Sequence, residues 1–201
     1  MTISMPNTWQ AHWERYRKFE ENMAKGRSKR KALVQTTLLV VGEGADDKAF
    51  ITHMKKIFCP RGSGTRAKVE AGDGGSPGNI ITNAVRSFRG EDYDHRILVL
   101  DSDVPPTEQD RRKAKSNGYT IILWSPTCLE GALLDVLGEP VREHESASSL
   151  KKRLHPALDG AHTSSDAYQR LFPEPVLTAT TNKSVVSLRQ TLRQEPNCTT
   201  C

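Results

Sequence analysis

The sequence predicts an α/β fold with a mainly parallel sheet flanked by helices. Three observations carry that prediction. Short apolar, β-rich runs alternate with segments of helical spacing from Thr37 to Leu137. Each run gives way to turn residues or to a helix start, which is the pattern of strands joined by helical crossovers. The chain has 201 residues, enough for one such domain with appendages.

Thr37–Val41 (TTLLV) reads as a buried strand ending in Gly42-Glu43-Gly44. Asp46–Phe58 follows as a helix, with Phe50, Met54, Ile57 and Phe58 on one face and Asp46 or Asp47 serving its N-terminus. Arg61–Thr65 is a Gly-rich loop, and Ala67–Ala71 a short second strand. Asn79–Phe88 has helical spacing, with Asn79 as the expected cap. Arg96–Leu100 (RILVL) is the strongest strand and runs into Asp101-Ser102-Asp103. A polar helix, Thr107–Ser116, closes on Asn117-Gly118. Tyr119–Trp124 is the last strand, and Cys128–Leu137 the helix after it. Beyond Gly138 the chain reads as helical and polar, with helices at Ser148–Leu158, Ser164–Phe172 and Ser184–Leu192. The expected organisation is an arm over 1–35, a core over 36–140, a helical extension of the same domain over 141–195, and a tail over 196–201.

Composition narrows the function classes. No apolar run approaches the roughly 18 residues of a membrane span. The first thirty residues lack the apolar stretch of a secretory signal. Four cysteines do not make a disulfide scaffold. The expectation is a soluble cytoplasmic protein without membrane partners. Hydrophobic residues make up 36% of the chain, enough for one core with polar extensions. The net charge of +5 is carried by residues 1–32, which hold eight basic and three acidic side chains. Arg27, Lys29, Arg30 and Lys31 are the candidates for contact with nucleic-acid phosphates. A solvated tail is the alternative reading of the arm. Trp9, Trp13 and Tyr16 fall on one helical face, which suits packing against the body or a partner chain.

Functional groups in an open parallel sheet gather at the carboxyl ends of the strands. Glu43 ends the first predicted strand, and Asp101 and Asp103 end the strongest. Asp47 lies one helical turn after Glu43. Four carboxylates on one edge call for a cation, and oxygen donors favour Mg²⁺ or Mn²⁺ over Zn²⁺. On an extended segment, Asp-x-Asp places both carboxylates on the same side.

Leu38–Phe50 (LLVVGEGADDKAF) and Leu98–Asp103 (LVLDSD) resemble the two acidic motifs of the toprim domain, with one strand–helix unit between them. The wording Glu-Gly-x-x-Asp-Lys-x-Phe, Glu43 to Phe50, is closest to OLD-type nucleases and the small RloB-like proteins. Trp124–Leu134 resembles the segment after the next strand in those proteins, with an acidic residue at Glu130. Asn182-Lys183-Ser184 resembles the place of their active-site lysine. The resemblance covers about residues 36–192 and leaves out the arm and tail. It implies a toprim, Rossmann-like fold and a metal-dependent nuclease, acting on DNA or RNA, with a role in anti-phage or mobile-element defence. It further implies two Mg²⁺ or Mn²⁺ ions held by Asp101, Asp103, Glu43 and Asp47, with Glu43 also moving protons and Lys183 stabilising the transition-state phosphate. Glu130 would orient a ligand or cap its helix. The ATPase of full-length OLD proteins is not in this chain, so a separate ATPase or other partner is one expectation. A toprim-like subunit that binds nucleic acid or scaffolds a complex, and a ribonuclease maturing structured RNA, are the competing readings.

Other signals are weaker. Gly72–Asn79 (GDGGSPGN) suits a tight strand-to-helix loop or a phosphate cradle, and Asp73 within it a turn or a fifth carboxylate. Cys198-Thr-Thr-Cys201 is half a zinc site; a reduced tail is the simpler reading. His155 and His162 are not at finger spacing, and Cys59 and Cys128 read as buried.

The arm yields the first prediction. Deleting residues 1–32 should weaken nucleic-acid binding for all sequences alike. Its salt dependence should flatten by roughly one unit of slope for each phosphate that the arm neutralises. Affinities at two salt concentrations for full and truncated chains check this. An unchanged slope rules out the electrostatic role; a change in oligomer or partner binding on truncation would then make the arm a docking element through Trp9, Trp13 and Tyr16.

Overall fold

The computed structural model describes residues 36–142 and 144–194. The basic arm, with its aromatic stripe, and the Cys198–Cys201 tail lie outside them. Four strands form one sheet: β1 (Thr36–Gly42), β2 (Thr65–Ala71), β3 (His95–Asp101) and β4 (Tyr119–Trp124). Their order is β2-β1-β3-β4, and every pairing is parallel. The helices are α1 (Ala45–Phe58), α2 (Pro77–Ser87), α3 (Glu108–Ser116), α4 (Leu129–Val136), α5 (Ala147–Leu154), α6 (Glu174–Ala179) and α7 (Lys183–Arg193). The fold is thus α/β and Rossmann-like.

Alternation along the strands builds two cores. Leu38, Val40, Ile97, Val99 and Trp124 face one side, where they pack with α1, α4, α5 and α7. Leu39, Val41, Leu98 and Leu100 face the other, against Ile80, Ile81 and Ala84 of α2 and Ala114 of α3. From β1 the chain steps outward to β2 through α1, then back across β1 to β3 through α2. Right-handed crossovers in opposite directions put their helices on opposite faces. The order of strands therefore reverses between β1 and β3, and the crevice beyond their carboxyl ends is where such sheets bind ligands.

Several boundaries differ from the sequence reading. Strand β2 starts at Thr65, inside the expected loop, because Thr36 and Thr65 pair at the start of the ladder. Helix α2 is capped by Ser76, whose side chain accepts from Asn79 N–H, with Pro77 in its first turn, so Asn79 is not the cap. Ser148–Leu158 is not one helix: α5 ends at Leu154, and Pro156 continues it only as a 3₁₀ turn, His155–Ala157. Ser164–Phe172 reduces to a 3₁₀ turn, Ser165–Tyr168, with Tyr168 and Phe172 inserted edge-on around Phe50. The short α6 has no counterpart in the sequence reading, because its prolines look like breakers. Pro175 sits in its first turn, where a missing N–H costs nothing. The described part of the extension supplies Leu150, Leu154, Leu177, Val185, Leu188 and Leu192 to the first core.

Gly131 on α4 fits under the chain before it: a Cβ there would lie 2.2 Å from the Pro126 carbonyl oxygen. Gly131→Ala should therefore destabilise the protein by about 1–3 kcal/mol, as overpacking does, read as a lower urea midpoint with an unchanged m-value.

Candidate functional site

The carboxyl ends of β1 and β3 bring the sequence-predicted acids together. Gly42, the last residue of β1, pairs with Val99, so Glu43 emerges beside Asp101. Glu43 Oε2 accepts from the Asp101 backbone N–H at 3.0 Å. This bond fixes the position of Glu43 against the strand that carries Asp101. Asp101 Oδ1 accepts from Leu129 N–H at 3.2 Å, at the first turn of α4. The segment after β4 clamps the one after β3, because Ser102 N–H and Asp103 N–H both donate to the Thr127 carbonyl, at 2.8 and 3.0 Å.

Asp47 lies behind these groups and is buried. One of its oxygens accepts from Trp124 Nε1–H at 2.6 Å and the other from Gly44 N–H at 3.0 Å. Gly42 makes the approach possible, since a Cβ there would come within 2.5 Å of the Asp47 Cβ. Burial outweighs both hydrogen bonds and pushes the Asp47 carboxyl up to about 7. Asp101 is pushed up to about 8, first by burial and then by the negative charges of Asp47, Glu43, Glu130 and Asp103. The acids expected at this edge lie near enough for their charges to act on Asp101.

Asp103 differs from expectation in how it is placed. Strand β3 ends at Asp101, so strand alternation does not govern Asp103. It is exposed, and its Oδ1 accepts from Val104 N–H at 2.7 Å. Asp73 is exposed in the loop after β2. Lys183 is exposed at the start of α7. Its neighbours tie that helix to the exit of β4: Asn182 Nδ2 donates to the Ser125 carbonyl at 2.7 Å, and Ser125 N–H donates to Ser184 Oγ at 3.3 Å. Lys183 is thus carried to the same edge of the sheet. Lys48 of the first motif is structural, pairing with Glu70 at 2.8 Å.

Glu130 is buried, in the first turn of α4. Its Oε2 accepts from the Cys128 thiol at 3.3 Å, and its Oε1 lies 3.2 Å from His155 Nε2. Burial pushes the Cys128 thiol up to about 12, so it stays a protonated donor and not a nucleophile. Around Glu130 the structure gathers residues that the sequence reading does not select for chemistry. Asp46 Oδ1 is 2.6 Å from His162 Nδ1, and Lys151 Nζ is 3.6 Å from Asp46 Oδ2 and 3.8 Å from Glu130 Oε1. Asp46, His155 and His162 each offer a ligand atom within 4.8 Å of the other two, and they are the one such His, Cys, Asp or Glu group among the described residues. The four predicted carboxylates share an edge without closing to that spacing. Among the described residues, no helix is long and apolar enough to cross a membrane.

The raised carboxyls set a pH dependence. Both native values lie above the roughly 3.9 of an unfolded Asp, so the native state holds extra protons between about pH 4 and pH 8. Their contribution is fully present below pH 4 and is lost as the pH rises through 7 to 8. Asp101→Asn keeps an acceptor for Leu129 N–H and removes the charge. In EDTA it should match the parent only below about pH 4 and exceed it by a growing margin up to about pH 8.5, by urea denaturation.

Compared with family models, with characterised proteins and with solved structures, the chain matches none of them.

Proposed function

We propose that the protein is a metal-dependent nuclease with a toprim-type site at the β1/β3 switch point. The observation that carries this reading is the junction of Glu43 and Asp101 at adjacent strand ends, held by the 3.0 Å bond between them. The resemblance of the two acidic motifs to toprim sequences supports it. So does the donor chemistry: Asp101, raised first by burial and then by four neighbouring carboxylates, stands among hard oxygen donors that suit a cation.

Glu43, Asp101 and Asp103, with Asp47 behind them, would hold Mg²⁺ or Mn²⁺. The ions would supply an activated water and charge neutralisation for phosphodiester cleavage. The chain's own residues do the rest. The Asp101 backbone N–H orients Glu43 to receive a proton from the attacking water. Lys183, exposed on the same edge, approaches the phosphate and offsets the charge that develops there. Glu130, bonded to Cys128 and His155, acts from behind Asp101 through its charge. A cytoplasmic setting, a nucleic-acid partner met by the basic arm, and a separate ATPase belong to the same proposal.

The test is cleavage of supercoiled plasmid and of structured RNA by the purified full chain in Mg²⁺, Mn²⁺ and EDTA. Glu43→Gln and Asp101→Asn should each lower the metal-dependent rate by about 10²-fold or more, and Lys183→Ala by about 10²–10³-fold without loss of metal binding. Cleavage of RNA alone would select the ribonuclease reading. Metal-independent binding without cleavage, unchanged in all three variants, would select the non-catalytic subunit.

A further inference from the structure

A second cation site lies beside the carboxylate edge, made by residues far apart in sequence. Asp46 comes from the first turn of α1, Glu130 from the first turn of α4, His155 from the 3₁₀ turn after α5, and His162 from the loop that follows. His155 Nε2 lies 3.2 Å from Glu130 Oε1 and 4.0 Å from Asp46 Oδ2. The Asp46 carboxylate reaches His162 Nδ1 with its other oxygen, at 2.6 Å. The two imidazoles are stacked, with centroids 4.2 Å apart and planes 11° from parallel. Asp46, His155 and His162 thus share one small volume, and Glu130 adjoins it through His155, with Glu130 and Asp46 largely sheltered at 3% and 15% side-chain exposure.

We infer that Asp46, His155 and His162, with Glu130 as a fourth donor, bind a borderline divalent ion of the Zn²⁺ class. This site is separate from the carboxylate set assigned to Mg²⁺ or Mn²⁺ and does not depend on the nuclease reading. Two imidazoles with two carboxylates suit Zn²⁺ or Co²⁺, and the oxygen-only edge suits harder ions. A shared ion requires the rings to leave their parallel stack. His162 is 45% exposed and has the freedom to tilt. Lys151 Nζ stands between Asp46 Oδ2 and Glu130 Oε1 as a competing cation, and its 47% exposed side chain can swing to solvent. Occupied, the site ties the loop over 155–162 to α1 and α4 and neutralises Glu130 next to Asp101.

The probe is Co²⁺ alone, followed by its visible d–d bands, with Zn²⁺ competition by calorimetry. The full chain is used with Cys198→Ser and Cys201→Ser, so that the terminal thiols do not contribute. One tetrahedral Co²⁺ per chain is expected, displaced by Zn²⁺. Loss of a residue that merely supports a ligand costs 10–100-fold in affinity, so His162→Ala should weaken binding by at least about 100-fold. His162 is half-exposed, so this variant keeps the fold, checked by circular dichroism. His155→Gln is the second variant. Asp101→Asn, which removes a charge coupled to Glu130 but no donor of this site, should weaken Co²⁺ binding by at most about tenfold, and Lys151→Gln should bind at least as tightly as the parent. Co²⁺ affinity within threefold of the parent in both histidine variants, or its loss in Asp101→Asn, overturns the inference. Failure of plasmid and RNA cleavage leaves this result untouched, so the two readings fail separately.

Discussion

The carboxyl edge of the sheet depends on one buried carboxyl group, that of Asp47. It receives Trp124 Nε1–H from β4 and Gly44 N–H from the turn after β1. Those two bonds join the first turn of α1 to both the central and the outer part of the sheet. They also decide where Glu43 begins its course toward β3, because Gly44 is the residue next to it. A carboxylate buried this deeply is costly to charge, and two donors only partly offset that cost. Gly42 has no side chain because Asp47 occupies the space one would need. The start of α1 is thus fixed by a polar anchor, while its length is fixed by apolar contacts of Ala49, Phe50, Ile51 and Met54.

From that anchor, negative charge spreads along the edge. Asp47, Glu43, Glu130 and Asp103 each raise Asp101, and Asp101 in turn contributes to the rise of Lys151. Backbone donors steady the acids without neutralising them: Asp101 N–H for Glu43 and Leu129 N–H for Asp101. Positive charge arrives from outside the sheet through Lys151 on the helical extension, which also sets the His155 and His162 rings against Glu130 and Asp46. The extension is therefore part of the site's electrostatics as well as of the core. Lys151, Lys152 and Arg153 read in sequence as a small basic cluster. Two of the three are paired, Lys151 with Asp46 and Glu130, and Arg153 with Glu145 at 2.9 Å.

The strands and the edge acids are legible in the sequence because both follow from local patterns. A run such as RILVL names its own conformation, and an acid placed directly after it inherits a position at the strand end. Asp103 is less legible, since strand alternation stops at Asp101 and nothing in the sequence marks that stop. The first turn of α2 is hidden because Ser76-Pro77, a start signal, stands inside a Gly-rich stretch that looks like loop throughout. The cluster of Asp46, His155 and His162 leaves no local signal at all. His155 and His162 are seven positions apart on a segment that reads as helix and loop, and Asp46 lies more than a hundred residues earlier. Their meeting rests on Pro156 ending α5 and on Tyr168 Oη–H donating to the His162 carbonyl at 2.7 Å. Neither feature is visible without the fold.

Glu130 explains how two chemically different clusters can stand side by side. It is the acid shared by both, close enough to raise Asp101 and bonded directly to His155. Its remaining oxygen is held by the Cys128 thiol, a weak donor that does not compete with a cation for it. Any positive charge drawn to the imidazole side therefore lowers the repulsion felt at Asp101. Any negative charge gained at Asp101 strengthens the hold of Glu130 on Lys151 and the imidazoles. Coupling of this kind needs no movement of the sheet. It follows from placing one buried carboxylate at the first turn of α4, between the strand that carries Asp101 and the turn that carries His155.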